Sequence, residues 1–174
     1  KEFMDIWIIG LSGAGKTTLA KQVVEKTKSY DQDVALIDGD VIRDLFNNDL
    51  GHTLKDRRKN AERISKLCKF LDDQGIDVVC AILSLFPESR TWNRENIKNY
   101  YEVYIEAPLD QLEKRDYKGL YKKFNDGELK NVAGMDIEFI PPDNSDLVIK
   151  NNGSLVNLLQ HSSSLSDLIR KVHK

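Results

Sequence analysis

Gly10-Leu-Ser-Gly-Ala-Gly-Lys-Thr17 is the stretch of sequence that decides the fold. It has the form G-x-x-x-x-G-K-[ST], in which glycines let the backbone curl so that successive N–H groups point at phosphate oxygens. The short apolar run at residues 6–9 directly precedes it, and a helical segment begins near Lys16. A strand, a glycine-rich loop and a helix in this order predict a phosphate-binding loop for a nucleoside triphosphate.

The side chains of this loop predict how the triphosphate is held. Lys16 is expected to reach the β- and γ-phosphates and to act in catalysis, while the Thr17 hydroxyl binds Mg²⁺ between them. The expected cofactors are therefore ATP and Mg²⁺. The predicted ATP-binding residues of the loop are Gly10, Ser12, Gly13, Ala14, Gly15, Lys16, Thr17 and Thr18.

The apolar pattern of the whole chain predicts an α/β fold. Runs at residues 34–37, 78–83, 103–105 and 147–149 resemble the first one, and segments with helical apolar spacing lie between them. Strands that alternate with helices predict a five-stranded parallel sheet flanked by helices, a P-loop kinase fold, in one domain over residues 1–174. The glycine-rich and proline-containing segment 115–146 is predicted to be a lid. A serine run at 162–164 marks a kink or break in the last helical pattern.

Composition excludes several classes of protein. The 174 residues include 26 basic and 28 acidic side chains, a net charge of −2, so nucleic acid polymers are not expected partners. No apolar run approaches the roughly 20 residues that span a bilayer, so no membrane partner is expected. Cys68 and Cys80 lie in apolar segments and are expected to be buried, reduced thiols, which favours a cytoplasmic location.

A second acidic motif, Asp38-Gly-Asp40, follows the second predicted strand. Open parallel sheets bind ligands at the carboxyl ends of their strands, so both carboxylates are expected in the site. Asp38 is assigned to the magnesium shell and Asp40 to the role of general base, although which carboxylate is the base stays open. The alternative is that the motif turns the chain and caps the next helix.

Nearly the whole chain resembles adenylylsulfate kinases, small P-loop enzymes that phosphorylate the ribose 3′-hydroxyl of adenosine 5′-phosphosulfate with MgATP. The resemblance rests on the P-loop, on Asp38-Gly-Asp40, and on motifs at 43, 48–51, 56–60 and 127–130. The lid sequence Arg115-Asp-Tyr-Lys-Gly-Leu-Tyr-Lys-Lys123 is its most specific part. Homodimers are common in that family, so a homodimer is a further expectation.

The resemblance also implies residues for the acceptor side. Arg43, Arg57 and Asn60 would hold the phosphate-bearing part of a small nucleotide acceptor, and forked guanidinium groups suit such anions. Lys118, Lys122 and Lys123 would close over the anions of both substrates, unless they are only a solvated basic loop. Arg115 would contact ATP. The remaining residues implied at the acceptor are Asp40, His52, Ile82, Leu83, Ser84, Leu120 and Val132, with Ser84 orienting the acceptor rather than forming a covalent phosphate.

The departures from the family lie at the acceptor's base. The family's Leu-Gly-Phe is Leu50-Gly51-His52 here, and its Gly-Phe-Thr-Gly is Asn-Val-Ala-Gly at 131–134. In the family, those two phenylalanines sandwich the purine. One alternative is an adenylylsulfate kinase that has drifted, with His52 stacking in place of phenylalanine and Phe86 or Phe139 refilling the pocket. The other is a kinase for a smaller pyrimidine conjugate, whose edge His52 or Asn131 would hydrogen-bond. The latter would resemble a branch that acts on cytidine diphosphoramidate in bacterial capsule biosynthesis.

Two other functions are weighed against these. A non-catalytic ATP sensor has no need of a general base beside the acceptor, so Lys16, Thr17, Asp38 and Asp40 together favour an enzyme. A kinase for a sugar or another small alcohol is disfavoured by Arg43 and Arg57, which indicate an anionic acceptor.

Overall fold

A computed structural model describes residues 2–174, and its centre is a single parallel sheet. Five strands form it in the order β2-β3-β1-β4-β5, which confirms the predicted fold class. Each strand contains one of the apolar runs found in the sequence. The strands are β1 (Asp5–Ile9), β2 (Val34–Asp38), β3 (Asp77–Ile82), β4 (Tyr100–Glu106) and β5 (Leu147–Lys150).

Helices cover both faces of the sheet. They are α1 (Lys16–Lys28), α2 (Gly39–Leu45), α3 (Leu54–Asp73), α4 (Pro87–Asn96), α5 (Leu109–Arg115), α6 (Leu120–Asn125), α7 (Leu155–Leu159) and α8 (His161–Lys171).

Two apolar layers join the helices to the sheet. One layer contains Leu19 and Val23 of α1 with Ile169 of α8, packed on alternate residues of β1. The other contains Ile64 and Cys68 of α3 on the opposite face. A parallel sheet needs such burial on both sides, which is why its strands are short continuous apolar runs. Cys68 and Cys80 are both buried and free, as predicted.

β1 lies in the middle of the sheet, hydrogen-bonded to β3 on one side and β4 on the other. Its first residue, Asp5, is completely buried. Burial raises the pKa of the Asp5 carboxyl to about 8, and the charges of Asp72 and Asp77 add to the rise. The carboxyl ends of β1 and β2 carry the P-loop and the Asp38-Gly-Asp40 motif to one edge of the sheet.

The last helical pattern is broken, as expected, but before the serine run. α7 ends at Leu159 and α8 begins at His161. The Ser162 hydroxyl donates a hydrogen bond to the Leu159 carbonyl, 2.6 Å away, and so binds a carbonyl that the end of α7 leaves free. The break lets α8 turn back along α1.

The predicted lid segment, 115–146, is mostly irregular but contains α6 and one isolated bridge between Ala133 and Ile137. Its later part is tied to α4. The guanidinium of Arg90 donates to the Ile140 carbonyl at 2.8 Å, and that of Arg94 donates to the Asn144 carbonyl at 2.8 Å. The structure thus fixes the lid segment at its carboxyl end, close to the core.

Within residues 2–174, no helix combines the length and the apolar character needed to cross a membrane.

Candidate active site

The P-loop joins β1 to α1 and requires glycine at two positions for different reasons. Gly10 lies so close to β4 that an added Cβ would be 2.8 Å from the Ile105 carbonyl oxygen. Gly15 has a φ of 102°, and its added Cβ would be 2.5 Å from Leu158 Cδ2 of α7. Backbone N–H groups can approach a phosphate only where no side chain intervenes, so both glycines shape the cradle.

Lys16 folds back on the loop that carries it. Its ammonium donates a hydrogen bond to the Leu11 carbonyl, 2.8 Å away. Burial and, to a smaller extent, the positive charge of Lys118 lower the pKa of Lys16 to about 8, against the opposing effect of Asp40 and Asp38. A bound phosphate would favour the charged form, so this ammonium is placed to respond to the triphosphate.

The two predicted metal ligands are in contact. The Thr17 hydroxyl donates to Asp38 Oδ2 at 2.7 Å, which joins the start of α1 to the end of β2. The other Asp38 oxygen accepts from the backbone N–H of Asp40 at 2.9 Å and caps α2. The capping role weighed for this motif is therefore present together with the contact to Thr17. A hydroxyl and a carboxylate side by side are the oxygen ligands that suit Mg²⁺.

Asp40 lies beyond the cap and faces the lid. It forms an ion pair with Lys118, which reaches across from the turn before α6. Partial burial acts to raise the pKa of the Asp40 carboxyl, but the bond from Lys118 and the charges of Lys16 and Arg43 leave it below its usual range. Asp40 is therefore ionised at neutral pH and chemically able to accept a proton.

The guanidinium groups of Arg43 and Arg57 hold the backbone around the acceptor side. Arg43 donates to the Leu50 and Gly51 carbonyls at 3.2 and 3.0 Å. Arg57 donates to the His52 carbonyl at 2.9 Å and to the Asn131 carbonyl of the lid segment at 2.8 Å. Each guanidinium has five N–H donors, so these bonds leave others for an anion. The two arginines therefore fix the backbone around the pocket and also contribute positive charge to it.

His52 lies on the exposed loop between α2 and α3. Partial burial lowers the pKa of its imidazole, and the positive charges of Arg43, Arg57 and Lys118 lower it further against the effect of Asp40. The ring is therefore neutral at physiological pH, with one donor and one acceptor nitrogen. A neutral imidazole can hydrogen-bond the edge of a base or lie against its face.

One cavity of about 340 Å³ brings most of the predicted site residues together. Ser84 enters it at the end of β3, buried and with a φ of 56°, a strained conformation that is often found at functional sites. The buried Asn60 has a side-chain oxygen that accepts no hydrogen bond from residues 2–174. The predicted residues that line the cavity are Ser12, Gly13, Gly15, Lys16, Thr17, Thr18, Asp38, Asp40, Arg43, His52, Arg57, Asn60, Ile82, Leu83, Ser84, Lys118, Leu120 and Val132.

Five predicted residues lie outside the cavity wall, and one of them, Lys123, is exposed on α6. Gly10 and Ala14 belong to the P-loop but are buried and do not line the cavity. Arg115 donates to the Gly13 carbonyl at 3.1 Å, so it braces the loop. Lys122 is exposed on α6 and pairs with Asp126, 2.7 Å away and one helical turn on, because both point outward. The structure therefore does not bring Lys122 to the anions that the resemblance implied.

Several residues of the cavity wall were not among the predicted site residues. Gly39, Ala61, Ile64 and Ala81 come from patterned helix and strand positions, where sequence alone does not show which side chains meet the cavity. Tyr117 carried a clearer signal, since it directly precedes Lys118 in the lid motif. Leu85, Leu129, Lys130 and Ala133 also line the cavity without having been predicted, and so do Phe86 and Asn131, which were named only among the alternatives for the acceptor's base.

Comparison with known proteins agrees with this geometry. A model of the family described as adenylylsulphate kinase matches residues 2–150. Cytidine diphosphoramidate kinase of Campylobacter jejuni subsp. jejuni serotype O:2 is 43% identical over 150 residues, which are 84% of this chain and 85% of that one. Adenylyl-sulfate kinase of Halothermothrix orenii is 40% identical over 151 residues, 87% of this chain and 82% of the relative.

A solved structure shows the same fold. The Mycobacterium tuberculosis APS kinase CysC, in complex with AMPPNP and APS, superposes with a TM-score of 0.87 at 31% identity. The match covers 97% of this chain and 98% of that one.

Proposed function

The chain belongs to the adenylylsulphate kinase family, and we propose that it transfers the γ-phosphate of MgATP to the ribose 3′-hydroxyl of cytidine diphosphoramidate. Its family makes it a nucleotide-directed phosphotransferase. The proposal concerns the acceptor, and one observation carries it: His52 and Val132 stand where the family's two phenylalanines would flank the acceptor's purine. The 43% identity to cytidine diphosphoramidate kinase supports the same choice.

The donor half of the site assigns roles to residues of the P-loop and β2. Backbone N–H groups of the loop and the Lys16 ammonium would bind the triphosphate. Thr17 and Asp38 would hold Mg²⁺, which when bound neutralises charge between the β- and γ-oxygens. Arg115, which braces the loop at Gly13, would contact the donor nucleotide.

Asp40 is the stronger candidate for the general base. Both oxygens of Asp38 are engaged, one by the Thr17 hydroxyl and the other by the amino end of α2. Among residues 2–174, Asp40 is exposed, ionised and paired with one group, the ammonium of Lys118. When an acceptor hydroxyl displaces that ammonium, Asp40 would take its proton, while Lys118 would turn to the phosphoryl oxygens.

The acceptor half favours a small base. Stacking between aromatic side chains is worth about 1–3 kcal/mol per base, and a purine offers more surface to it than a pyrimidine. Val132 is buried and His52 presents a neutral ring with hydrogen-bonding nitrogens. A site that hydrogen-bonds a base edge discriminates more strongly than one that only encloses it. The charged part of the acceptor would face Arg43, Arg57 and Asn60.

Adenylylsulfate is the second candidate acceptor. The 40% identity to an adenylyl-sulfate kinase and the fold shared with the APS-bound structure favour it. In that case His52 would stack on adenine in place of phenylalanine.

Competition between the two acceptors tests the proposal. Purified protein, MgATP and equal concentrations of cytidine diphosphoramidate and adenylylsulfate are incubated, and both phosphorylated products are quantified. We expect at least tenfold higher kcat/KM for the cytidine conjugate. Preference for adenylylsulfate would overturn the assignment of the acceptor. ATP binding without turnover of either conjugate would instead favour a nucleotide sensor.

A matched pair of variants tests the assignment of the base. Asp40→Asn should lower kcat by about 100-fold or more while it leaves ATP binding close to normal. Asp44→Asn, on the exposed side of the same helix, should leave both unchanged. Near-normal turnover by Asp40→Asn would rule out Asp40 as the base.

A further inference from the structure

A large aromatic side chain stands in solvent at the mouth of the cavity. Tyr117 is 86% exposed, more than any other large hydrophobic side chain of residues 2–174, yet it lines the cavity wall. It directly precedes Lys118, the residue paired with Asp40. Such exposure of an aromatic ring leaves apolar surface in water, and at a binding cavity it marks a surface available to a ligand.

The turn that carries Tyr117 is held firmly on both sides. Before it, Arg115 donates to the Gly13 carbonyl at 3.1 Å. After it, the Tyr121 hydroxyl donates to the Ser12 carbonyl at 2.8 Å. Within the turn, the Asp116 carboxylate accepts the backbone N–H groups at the start of α6. The Tyr117 ring therefore projects from an anchored support, and little backbone freedom would be lost when it contacts a ligand.

The position of the turn assigns Tyr117 to the acceptor. The chain crosses the mouth from Arg115, at the P-loop, to Lys118, at Asp40. Tyr117 is adjacent to Lys118 and thus lies nearer the side where the acceptor hydroxyl would be activated. Phe86, another aromatic residue of the cavity wall, is only 7% exposed and has the Arg58 guanidinium 4.3 Å from its ring centre. Tyr117 offers the larger free aromatic surface.

We propose that Tyr117 is a specificity-determining residue that stacks on the nucleobase of the acceptor. The inference rests on the proposed function, because it takes the acceptor to be a nucleotide. The ring covers the base from the lid side while its hydroxyl stays in water. Since every base has a π-face, this contact selects acceptors that carry a base over phosphorylated sugars that do not. In this proposal, His52 and Val132 select between a pyrimidine and a purine, whereas Tyr117 contacts either base.

Four variants separate stacking from other roles. Tyr117→Phe keeps the ring, Tyr117→Leu keeps apolar bulk, and Tyr117→Ala removes both. Phe70→Ala, at a 58% exposed ring on the outer side of α3, is the control for loss of an exposed aromatic. Each protein is first saturated with AMPPNP to fill the donor site. Binding of cytidine 5′-diphosphate and of ribose 5-phosphate to this protein is then measured by calorimetry. In separate reactions without AMPPNP, KM values are measured for ATP and for both conjugates.

Stacking predicts a distinct pattern. Tyr117→Ala and Tyr117→Leu should weaken cytidine diphosphate binding and raise the acceptor KM by about 5- to 100-fold. Tyr117→Phe and Phe70→Ala should stay within about twofold of the unmodified protein. Binding of ribose 5-phosphate and the KM for ATP should not change in any variant.

Three results would overturn the inference. They are normal nucleotide binding by Tyr117→Leu, an effect on the KM for ATP alone, and no binding of cytidine diphosphate to the unmodified protein. Failure of the proposed function has different signatures, which are preference for adenylylsulfate and absence of turnover with both conjugates. The binding measurements do not depend on turnover, so they judge the stacking contact in either case.

Discussion

Lys118 and Asp40, which are 78 positions apart in the chain, form an ion pair that joins the turn before α6 to the first turn of α2. Both residues line the cavity, and both have a proposed role in phosphoryl transfer on the side proposed for the acceptor. The ion pair also keeps the Asp40 carboxyl ionised before any substrate binds.

Removal of the Lys118 charge should change the pH dependence of the reaction. Lys118 lowers the pKa of Asp40, so Lys118→Met should raise that pKa. As the pH falls, the Asp40 carboxylate should then become protonated at a higher pH than in the unmodified protein. The acid limb of the kcat/KM profile should therefore move to higher pH. The rate at the optimum should fall about tenfold or more, because the lysine no longer stabilises transferred charge.

Lys118→Arg keeps the charge and should keep the position of the acid limb. Lys21→Met, on the exposed face of α1, removes a lysine away from the cavity and should have no effect. An unmoved acid limb in Lys118→Met would show that the ion pair does not control the ionisation that the rate depends on.

ATP binding should be linked to protonation of Lys16. In the free protein burial lowers the pKa of Lys16 to about 8, and a bound triphosphate favours the charged ammonium. Binding at pH 8.5 should therefore take up protons, and the affinity should fall as the pH rises above 8. Calorimetry of AMPPNP binding in two buffers of different ionisation enthalpy measures the uptake.

The same titrations at pH 6.5 provide the control, because Lys16 is already charged there. Equal apparent enthalpies in both buffers at pH 8.5 would contradict the assignment of this ionisation to the site.

Asp5 should make the fold less stable at alkaline pH. The folded-state pKa is about 8, whereas an exposed aspartate has a pKa near 4, so the folded protein holds one more proton between these values. Stability contributed by the protonated form is therefore lost as the pH rises through that window. Asp5→Asn should raise the free energy of unfolding by about 1–3 kcal/mol at pH 9 and much less at pH 5.

Urea unfolding of both proteins at the two pH values checks this. Asp33→Asn, at an exposed position before β2, should show no such difference between pH 5 and pH 9. Equal stabilisation by Asp5→Asn at both values would mean that the carboxyl does not titrate in this range.

Gly15→Ala should damage the cradle and the fold together. The φ of 102° is unfavourable for alanine, and the new Cβ would overlap Leu158 Cδ2 at 2.5 Å. We expect a loss of about 2–4 kcal/mol in the free energy of unfolding and at least tenfold weaker binding of AMPPNP.

Gly127→Ala is the matched control, since Gly127 also has a positive φ, 76°, but its added Cβ would have no described atom within 4 Å. It should cost only about 1 kcal/mol and leave nucleotide binding intact. Equal losses for the two variants would show that the contact with Leu158 is unimportant.

The features that could be predicted from sequence were those that local pattern determines. The P-loop spacing and the five short apolar runs predicted that the P-loop follows a buried strand of a parallel sheet, and the structure confirms this placement, because a parallel sheet admits few other arrangements. The lid residues around Tyr117 could not be oriented in this way. Whether a side chain on a loop faces a cavity depends on tertiary contacts, such as the anchoring of Arg115 on Gly13.

Local sequence pattern also does not show which of several available partners a charged side chain binds. Lys122 was expected at the substrate anions, yet an acidic residue one helical turn away, Asp126, binds it on the surface of α6. Arg43 and Arg57 were expected to bind the anion of the acceptor, and the structure shows that both also donate to backbone carbonyls, which local pattern did not indicate. The homodimer and the cytoplasmic location stay predictions.

The central position of β1 in the sheet affects how the chain can fold while it is being synthesised. β1 is the first of the five strands of this sheet to be synthesised, yet it must be enclosed by β3 and β4, which are synthesised about 70 to 100 residues later. Until then both of its edges have no strand partners and the face that packs on α3 is uncovered, although α1, which follows directly, can already cover the other face. At an elongation rate of about 5–20 residues per second, this exposure lasts on the order of 5–20 seconds. The nascent chain is therefore a natural client for chaperones that shield extended apolar segments during translation.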